Sequence, residues 1–127
     1  MARSHENDSG VIRAMFDEKY KFSGMLEPTD RLLRWSGSLW YHAKDVPDLW
    51  AAEAIKQTTR GDGTRVAILL PAKIHATWWY RYVVGKAASI YLLKSLVDGV
   101  HSAVVVWDGL AHSQRPTITW YIDWKHL

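Results

Sequence analysis

The chain of 127 residues contains no cysteine. This absence excludes a disulfide framework, a thiolate nucleophile and any zinc site that is built on cysteine ligands. A chain without disulfides also fits a reducing compartment. We therefore expect a cytoplasmic protein.

Long hydrophobic runs are also missing. No apolar run approaches the roughly 18 residues that cross a bilayer, and the first ten residues, MARSHENDSG, lack the apolar core of a signal peptide. We therefore expect a soluble protein with no membrane partner. The polar start predicts a disordered arm over residues 1–10, followed by a single α/β domain over residues 11–127, which is near the common domain size.

Aromatic residues and positive charge are what the chain has in excess. It contains eight Trp and six Tyr but only two Phe, and its net charge is +3. Amphipathic aromatic side chains suit interfaces and base stacking, although they can also fill the core of a small domain. The positive charge favours a polyanionic partner.

The hydrophobic pattern predicts alternating helices and strands. Apolar residues at helical spacing predict a short helix over residues 11–20, and SLWYH at residues 38–42 predicts a strand. A second helix should start just after Asp45, which can cap it, with Pro47 in its first turn. The apolar run TRVAILLP at residues 64–71 is typical of a central strand that is covered on both faces.

The second half of the chain continues this pattern. We predict a loop and a short aromatic helix that is ended by Gly85, then strands at SIYLLK and HSAVVVWDG, and an alternating edge strand at TITWYIDW. A sheet whose first strands are joined by a helix is parallel there, so a ligand crevice should lie at the carboxyl ends of those strands.

Two segments follow the first two parallel strands, and both should therefore lie at the same edge of the sheet. They are HAKD at residues 42–45 and PAKIHATWW at residues 71–79. Flat aromatic side chains beside cations can stack bases while the cations hold phosphate. Consecutive helical residues do not both face the core, so one of the two adjacent Trp should be partly exposed. The predicted binding residues are Lys44, Lys73, His75, Trp78, Trp79 and Arg81.

Motifs for metal or nucleophilic chemistry are missing from the sequence. The six His are scattered without metal-ligand spacing, and neither a G-x-S-x-G elbow nor a P-loop occurs. The short GDG at residues 61–63 suits a turn between a helix and a strand. We expect no metal site.

Five segments follow one another as they do in phage-type DNA N6-adenine methyltransferases. They are DRLLRWSGSLW, PDLWAAEAIKQ, TRVAILLPAKIHATWWYRYV, AASIYLLKS and SAVVVWDG. The chain resembles this family over most of residues 16–110, and YKFSGML resembles the segment that opens the family's cofactor site. The resemblance implies a reduced Rossmann-like methyltransferase sheet of about five strands with two or three helices.

The family's catalytic N-P-P-Y motif falls on His42, Ala43, Lys44 and Asp45. In the family, the Asn side chain and a Pro carbonyl accept hydrogen bonds from the target amino group, and the Tyr stacks on the flipped base. Here Ala43 loses the proline geometry, Lys44 brings a cation towards the methyl sulfonium, and Asp45 cannot stack. These positions therefore hold a degenerate catalytic motif, which now links a strand to a helix.

The half of the family that holds the cofactor is also reduced. Only residues 21–34 separate the first helix from Trp35, whereas a strand-helix-strand unit needs about 30 residues. Gly24 is the only glycine in this stretch, so no glycine-rich loop can hold S-adenosylmethionine. The family's Asp after the second strand is replaced by His75. The resemblance therefore implies a protein that has no cofactor and no catalytic residues.

The leading hypothesis is a non-catalytic relative of these methyltransferases that binds DNA or a host DNA-associated protein. Such a protein would be a phage counter-defence or host-takeover factor in the host cytoplasm. A second hypothesis is an active methyltransferase that uses S-adenosylmethionine and is completed by a partner or by a homodimer. A third is a pure protein-interaction domain.

Overall fold

The structure, a computed structural model, describes residues 6–109 and 115–125. Two α-helices, a 3₁₀ turn, a π-helical segment and six strands make up this part of the chain. In chain order they are α1 (Glu6–Tyr20), β1 (Gly24–Met25), the 3₁₀ turn (Pro28–Asp30), β2 (Ser38–His42), α2 (Pro47–Thr58), β3 (Arg65–Pro71), the π segment (Trp79–Val84), β4 (Ser89–Leu93), β5 (Ser102–Asp108) and β6 (Thr117–Ile122).

The uninterrupted apolar runs form the centre of the sheet, as predicted. All five side chains of residues 66–70 in β3 are buried, and so are residues 103–107 in β5. The two strands pair antiparallel, with Ile68 opposite Val105. Strands that are covered on both faces need apolar side chains at every position, which explains the absence of alternation.

The sheet is open and mixed, with strand order β1-β2-β3-β5-β4-β6. Strands β1, β2 and β3 are parallel, as predicted for the first part of the chain, and β4 is parallel to β6. Strand β5 is antiparallel to both of its neighbours, so it alone among these six strands is reversed. Strand β6 lies at an edge, which confirms that prediction.

The predicted number of about five strands is too low, because no strand was predicted between the first helix and residue 38. Only Gly24 and Met25 belong to this strand, and a strand of two residues leaves no periodicity in the sequence. Backbone bonds from Ser23 N–H to Ser38 O (2.7 Å) and from Leu26 N–H to Trp40 O (2.8 Å) hold it against β2.

Helix α1 begins five residues earlier than predicted. Residues 6–10, which were assigned to the disordered arm, are helical, whereas residues 1–5 of that arm lie outside the described part of the chain. Ile12, Phe16 and Tyr20 are spaced by four residues and are buried against the sheet. This packed stripe stabilises the helix, which extends further towards its N-terminus than the apolar pattern indicates.

Two hydrophobic layers cover the faces of the sheet. Helix α2 and the π segment pack on one face, where Trp50, Trp79 and Trp107 are buried. Helix α1 packs on the other face, together with Trp40 and Trp124. Most of the tryptophans therefore fill the core, which was the alternative to base stacking.

Strands β4 and β5 form a hairpin around a tight turn. The backbone groups of Val97 and Val100 exchange two hydrogen bonds of 2.9 Å. Between them, Asp98 (φ 50°) and Gly99 (φ 76°) both have left-handed backbones. Two such central residues make a type I′ turn, whose twist matches that of paired strands.

Candidate nucleic-acid interface

Three residues of the HAKD segment, His42, Lys44 and Asp45, line a crevice at the carboxyl ends of β1 and β2. The crevice has a volume of about 640 Å³, and its walls include Glu27, Arg31, His42, Lys44 and Asp45. Open α/β sheets bind ligands at this position. The HAKD segment lies in this crevice, whereas none of the lining residues belongs to residues 71–79, which were expected beside it.

Within the tetrapeptide, backbone and side chains serve the fold. Ala43 is buried, and its N–H donates to Leu69 O at 2.8 Å, which continues the pairing of β2 with β3. Lys44 Nζ lies 3.9 Å from Asp98 Oδ2 in the β4–β5 turn.

The predicted cap at Asp45 is wrong. Val46 occupies the cap position with a left-handed backbone (φ 43°), and no side chain caps the helix.

An aromatic stack forms the wall behind His42. The ring of Tyr41 lies on that of Trp50 with 3.8 Å between their centroids, and Trp35 lies 5.8 Å beyond Trp50. Trp35 Nε1 also donates to Asp30 O at 2.9 Å. These contacts fix the end of β2 to α2 and to the 3₁₀ turn.

Charges in the crevice alter the ionisation of its two central side chains. Burial lowers the pKa of His42, and Lys44 lowers it further, while Asp98 opposes the change. Burial also raises the pKa of Tyr41, assisted by the carboxylates of Asp45 and Glu27. At neutral pH His42 is therefore uncharged and can accept a hydrogen bond through one ring nitrogen.

The segment after β3 places its cations on the surface. Lys73 and His75 are exposed in the turn, and Arg81 is exposed on the π segment. Neither Lys73 nor Arg81 forms an ion pair with a residue that the structure describes. Two positive charges are thus free to meet a polyanion.

The two adjacent tryptophans are divided between surface and core, as predicted. Trp78 is half-buried, whereas Trp79, the first residue of the π segment, is only 5 % exposed and belongs to the core. Their ring centroids are 5.9 Å apart and the planes are nearly perpendicular. Trp79 therefore offers a partner much less surface than Trp78. The predicted aromatic helix is a π-helix, and Gly85 ends it with a bond from its N–H to Tyr80 O at 3.2 Å.

A second depression lies against β4 and β6, beside the π segment. This groove has a volume of about 600 Å³. Its described lining comes from the turn after β3, the π segment, β4, the start of β5 and β6, and none of these residues is acidic. Lys44 lines the crevice, whereas His75 and Trp79 line the groove.

The sequence did not predict the groove, although it held one signal for it. The edge strand TITWYIDW carries Trp120 and Tyr121, which are 61 % and 66 % exposed. Large aromatic side chains at an edge strand indicate a surface that another molecule can cover. The sequence did not indicate that His101 lines the groove. This residue precedes β5, and it reaches the groove because β5 runs antiparallel to its neighbours.

Over residues 6–109 and 115–125, no cluster of three or more His, Cys, Asp or Glu could hold a metal ion. Helices long and apolar enough to span a bilayer are likewise not found in this part.

Comparison with models of protein families, with curated protein sequences and with solved structures gives no match. The residues of the chain itself therefore carry the functional argument.

Proposed function

We propose that this chain is a non-catalytic relative of phage DNA adenine methyltransferases that binds DNA through the carboxyl edge of its sheet. The segments that resemble the family fall on β2, β3, β4 and β5, which are neighbours in one sheet. That contiguity is what a reduced Rossmann-like methyltransferase sheet requires. It supports the resemblance independently of the order of the segments in the sequence.

The state of the crevice supports a loss of catalysis. The position of the family's first proline is Ala43, whose backbone N–H is bonded to β3. Lys44 pairs with Asp98, and Asp45 has no ring with which to stack on a base. The two residues of β1 are followed by a 3₁₀ turn instead of a glycine-rich loop, which supports the loss of the half that holds the cofactor.

The observation that supports DNA binding is the placement of cations along one edge of the sheet. Lys44 follows β2 and Lys73 follows β3, so both lie at the edge where these parallel strands end, and both side chains are exposed. Half-buried Trp78 and exposed Arg81 follow on the next segment. In a basic protein, such a surface suits a phosphate backbone. A phage protein with this activity would act in counter-defence or host takeover.

Salt-dependent DNA binding tests this proposal. Lys73→Ala and Arg81→Ala should each lower the affinity for a short duplex and reduce the salt slope by roughly one phosphate contact. Lys56→Ala, in the last turn of α2, is the matched control and should change neither. Affinity that does not respond to salt, or equal losses in all three variants, would contradict a DNA surface at this edge.

A second candidate is a methyltransferase that a partner or a second copy completes. The open crevice of about 640 Å³ beside His42 is the observation that favours it. We expect no binding of S-adenosylmethionine by the isolated protein in calorimetry. Micromolar binding would favour the enzyme over the binding protein.

A host DNA-handling protein is the remaining candidate partner, and a pull-down from host lysate separates it from DNA. Capture that depends on DNA should be lost after nuclease treatment. Direct capture of a protein should persist, and in that case substitution of Trp78 should weaken binding more than substitution of Lys73, because buried aromatic side chains dominate protein interfaces.

A further inference from the structure

Strand β6 contains a bulge that changes the direction of one aromatic side chain. Successive residues of a regular strand point to opposite faces, so Trp120 and Tyr121 should do so as well. The ladder with β4 skips a residue here, since Tyr91 pairs with Thr119 but Leu93 pairs with Ile122. Tyr121 takes a left-handed backbone (φ 57°). Both rings consequently line the groove, with centroids 5.9 Å apart.

This arrangement is strained, and packing among residues 6–109 and 115–125 does not explain it. A left-handed backbone is unfavourable for a residue with a bulky side chain. The ring of Tyr121 does not gain burial in return, because this residue is 66 % exposed and Trp120 is 61 % exposed. Strained residues cluster at ligand sites, and bulges there redirect side chains. A ligand that contacts both rings would explain the geometry.

The rest of the groove indicates the chemistry of that ligand. Ile90 and Leu92 of β4 belong to its apolar lining, which suits a flat, weakly polar group. His75 and His101 also line it, and exposed Lys73 lies between two lining residues, Ala72 and Ile74. Because none of the described lining residues is acidic, the groove complements an apolar ring that is attached to a negative charge.

We propose that the groove binds unpaired bases of single-stranded DNA. Trp120 and Tyr121 act as stacking surfaces, and Lys73 contacts the phosphates. Stacking on exposed aromatic side chains is the general means of holding single strands without sequence preference. In a duplex the bases are already stacked on one another, so this site discriminates between the two forms of DNA. The inference rests on the proposed function in taking DNA as the partner.

Fluorescence anisotropy with a labelled oligothymidine and with a duplex of the same length tests the proposal. Trp120→Ala and Tyr121→Ala should each lower the affinity for oligothymidine by about 5- to 150-fold, and duplex affinity should change less than about twofold. Trp120→Phe should retain most of the single-strand affinity. Tyr80→Ala is the matched control, because Tyr80 is 74 % exposed and lies outside the groove lining.

The outcomes separate this inference from the proposed function. Salt-dependent duplex binding without single-strand binding would overturn the groove site and leave the proposed function standing. Binding of neither form would overturn both. Full oligothymidine affinity in a Trp120→Ala, Tyr121→Ala double variant with an unchanged melting temperature would also overturn the groove site. So would equal losses on both DNA forms, or tighter binding of oligouridine than of oligothymidine by more than tenfold.

Discussion

The two edges of the sheet differ in length and in the side chains that they expose. The edge at β1 is two residues long, and Lys44 in its crevice forms an ion pair with Asp98. The edge at β6 is six residues long and, in the described residues, pairs only with β4. It leaves Trp120 and Tyr121 exposed.

This difference distinguishes two kinds of site. The crevice lies where the fold favours ligand binding, whereas the groove has exposed side chains that a ligand can contact. The crevice lies where open α/β sheets bind ligands, yet its side chains hold β2, α2 and the β4–β5 turn together. The groove contains none of residues 42–45, yet it presents aromatic rings through a strained backbone. We therefore expect substitutions at the crevice to affect mainly stability, and those at the groove to affect mainly binding.

The largest expected effect contrasts the covered centre of the sheet with the open edge. Leu69→Ala should lower the free energy of unfolding by about 2–5 kcal/mol, because it leaves a cavity among fully buried side chains. Ile118→Ala on β6 should lower it by less than about 1 kcal/mol, since Ile118 is 44 % exposed. Urea denaturation measures both, and equal losses would show that the edge is as tightly packed as the centre.

A smaller effect of opposite sign is expected at the bulge. Tyr121→Gly should raise the free energy of unfolding by up to about 1 kcal/mol, because glycine adopts the left-handed backbone without strain. The same variant should lose affinity for oligothymidine. Gly99→Ala, at another left-handed position, serves as the reverse control and should destabilise the protein. A Tyr121→Gly variant that is less stable than the natural chain would mean that the ring stabilises the fold.

The smallest effect is a pH dependence that arises at the crevice. The pKa of His42 is lowered in the folded protein by burial and by Lys44. The unfolded chain therefore binds a proton at a higher pH, so the free energy of unfolding should fall as the pH drops below about 6.5. His42→Gln should flatten this slope. Melting temperatures from pH 5 to 7.5 would show a steeper slope in the His42 variant if the sign were reversed.

Sequence patterns predicted the elements in which one strong preference acts alone. The apolar runs of β3 and β5, the parallel start of the sheet and the position of β6 at the edge all followed from burial and connection rules. The division between Trp78 and Trp79 followed from helical geometry. These features depend on the local sequence and on whether one or both faces of a strand are buried.

The remaining features depend on contacts between distant parts of the chain. Strand β1 exists because β2 lies beside it, and helix α1 extends over residues that look disordered in isolation. The cap at Asp45 failed because Val46 adopts a left-handed backbone, which its side chain disfavours. Tyr121 also has a left-handed backbone, which turns its ring into the groove. No sequence pattern indicates a positive φ at a tyrosine.

The tight turn at Asp98 and Gly99 bears on how the chain folds. It joins β4 and β5, whose pairing brings together residues close in sequence, such as Leu92 and Ala103. By contrast, β3 pairs with β5 across a longer separation, from Leu70 to Ala103. Local hairpins close within microseconds, and distant pairings are slower because their loops cost more entropy. We therefore expect the hairpin to form early, so that the one reversed strand becomes the template on which the parallel half of the sheet assembles.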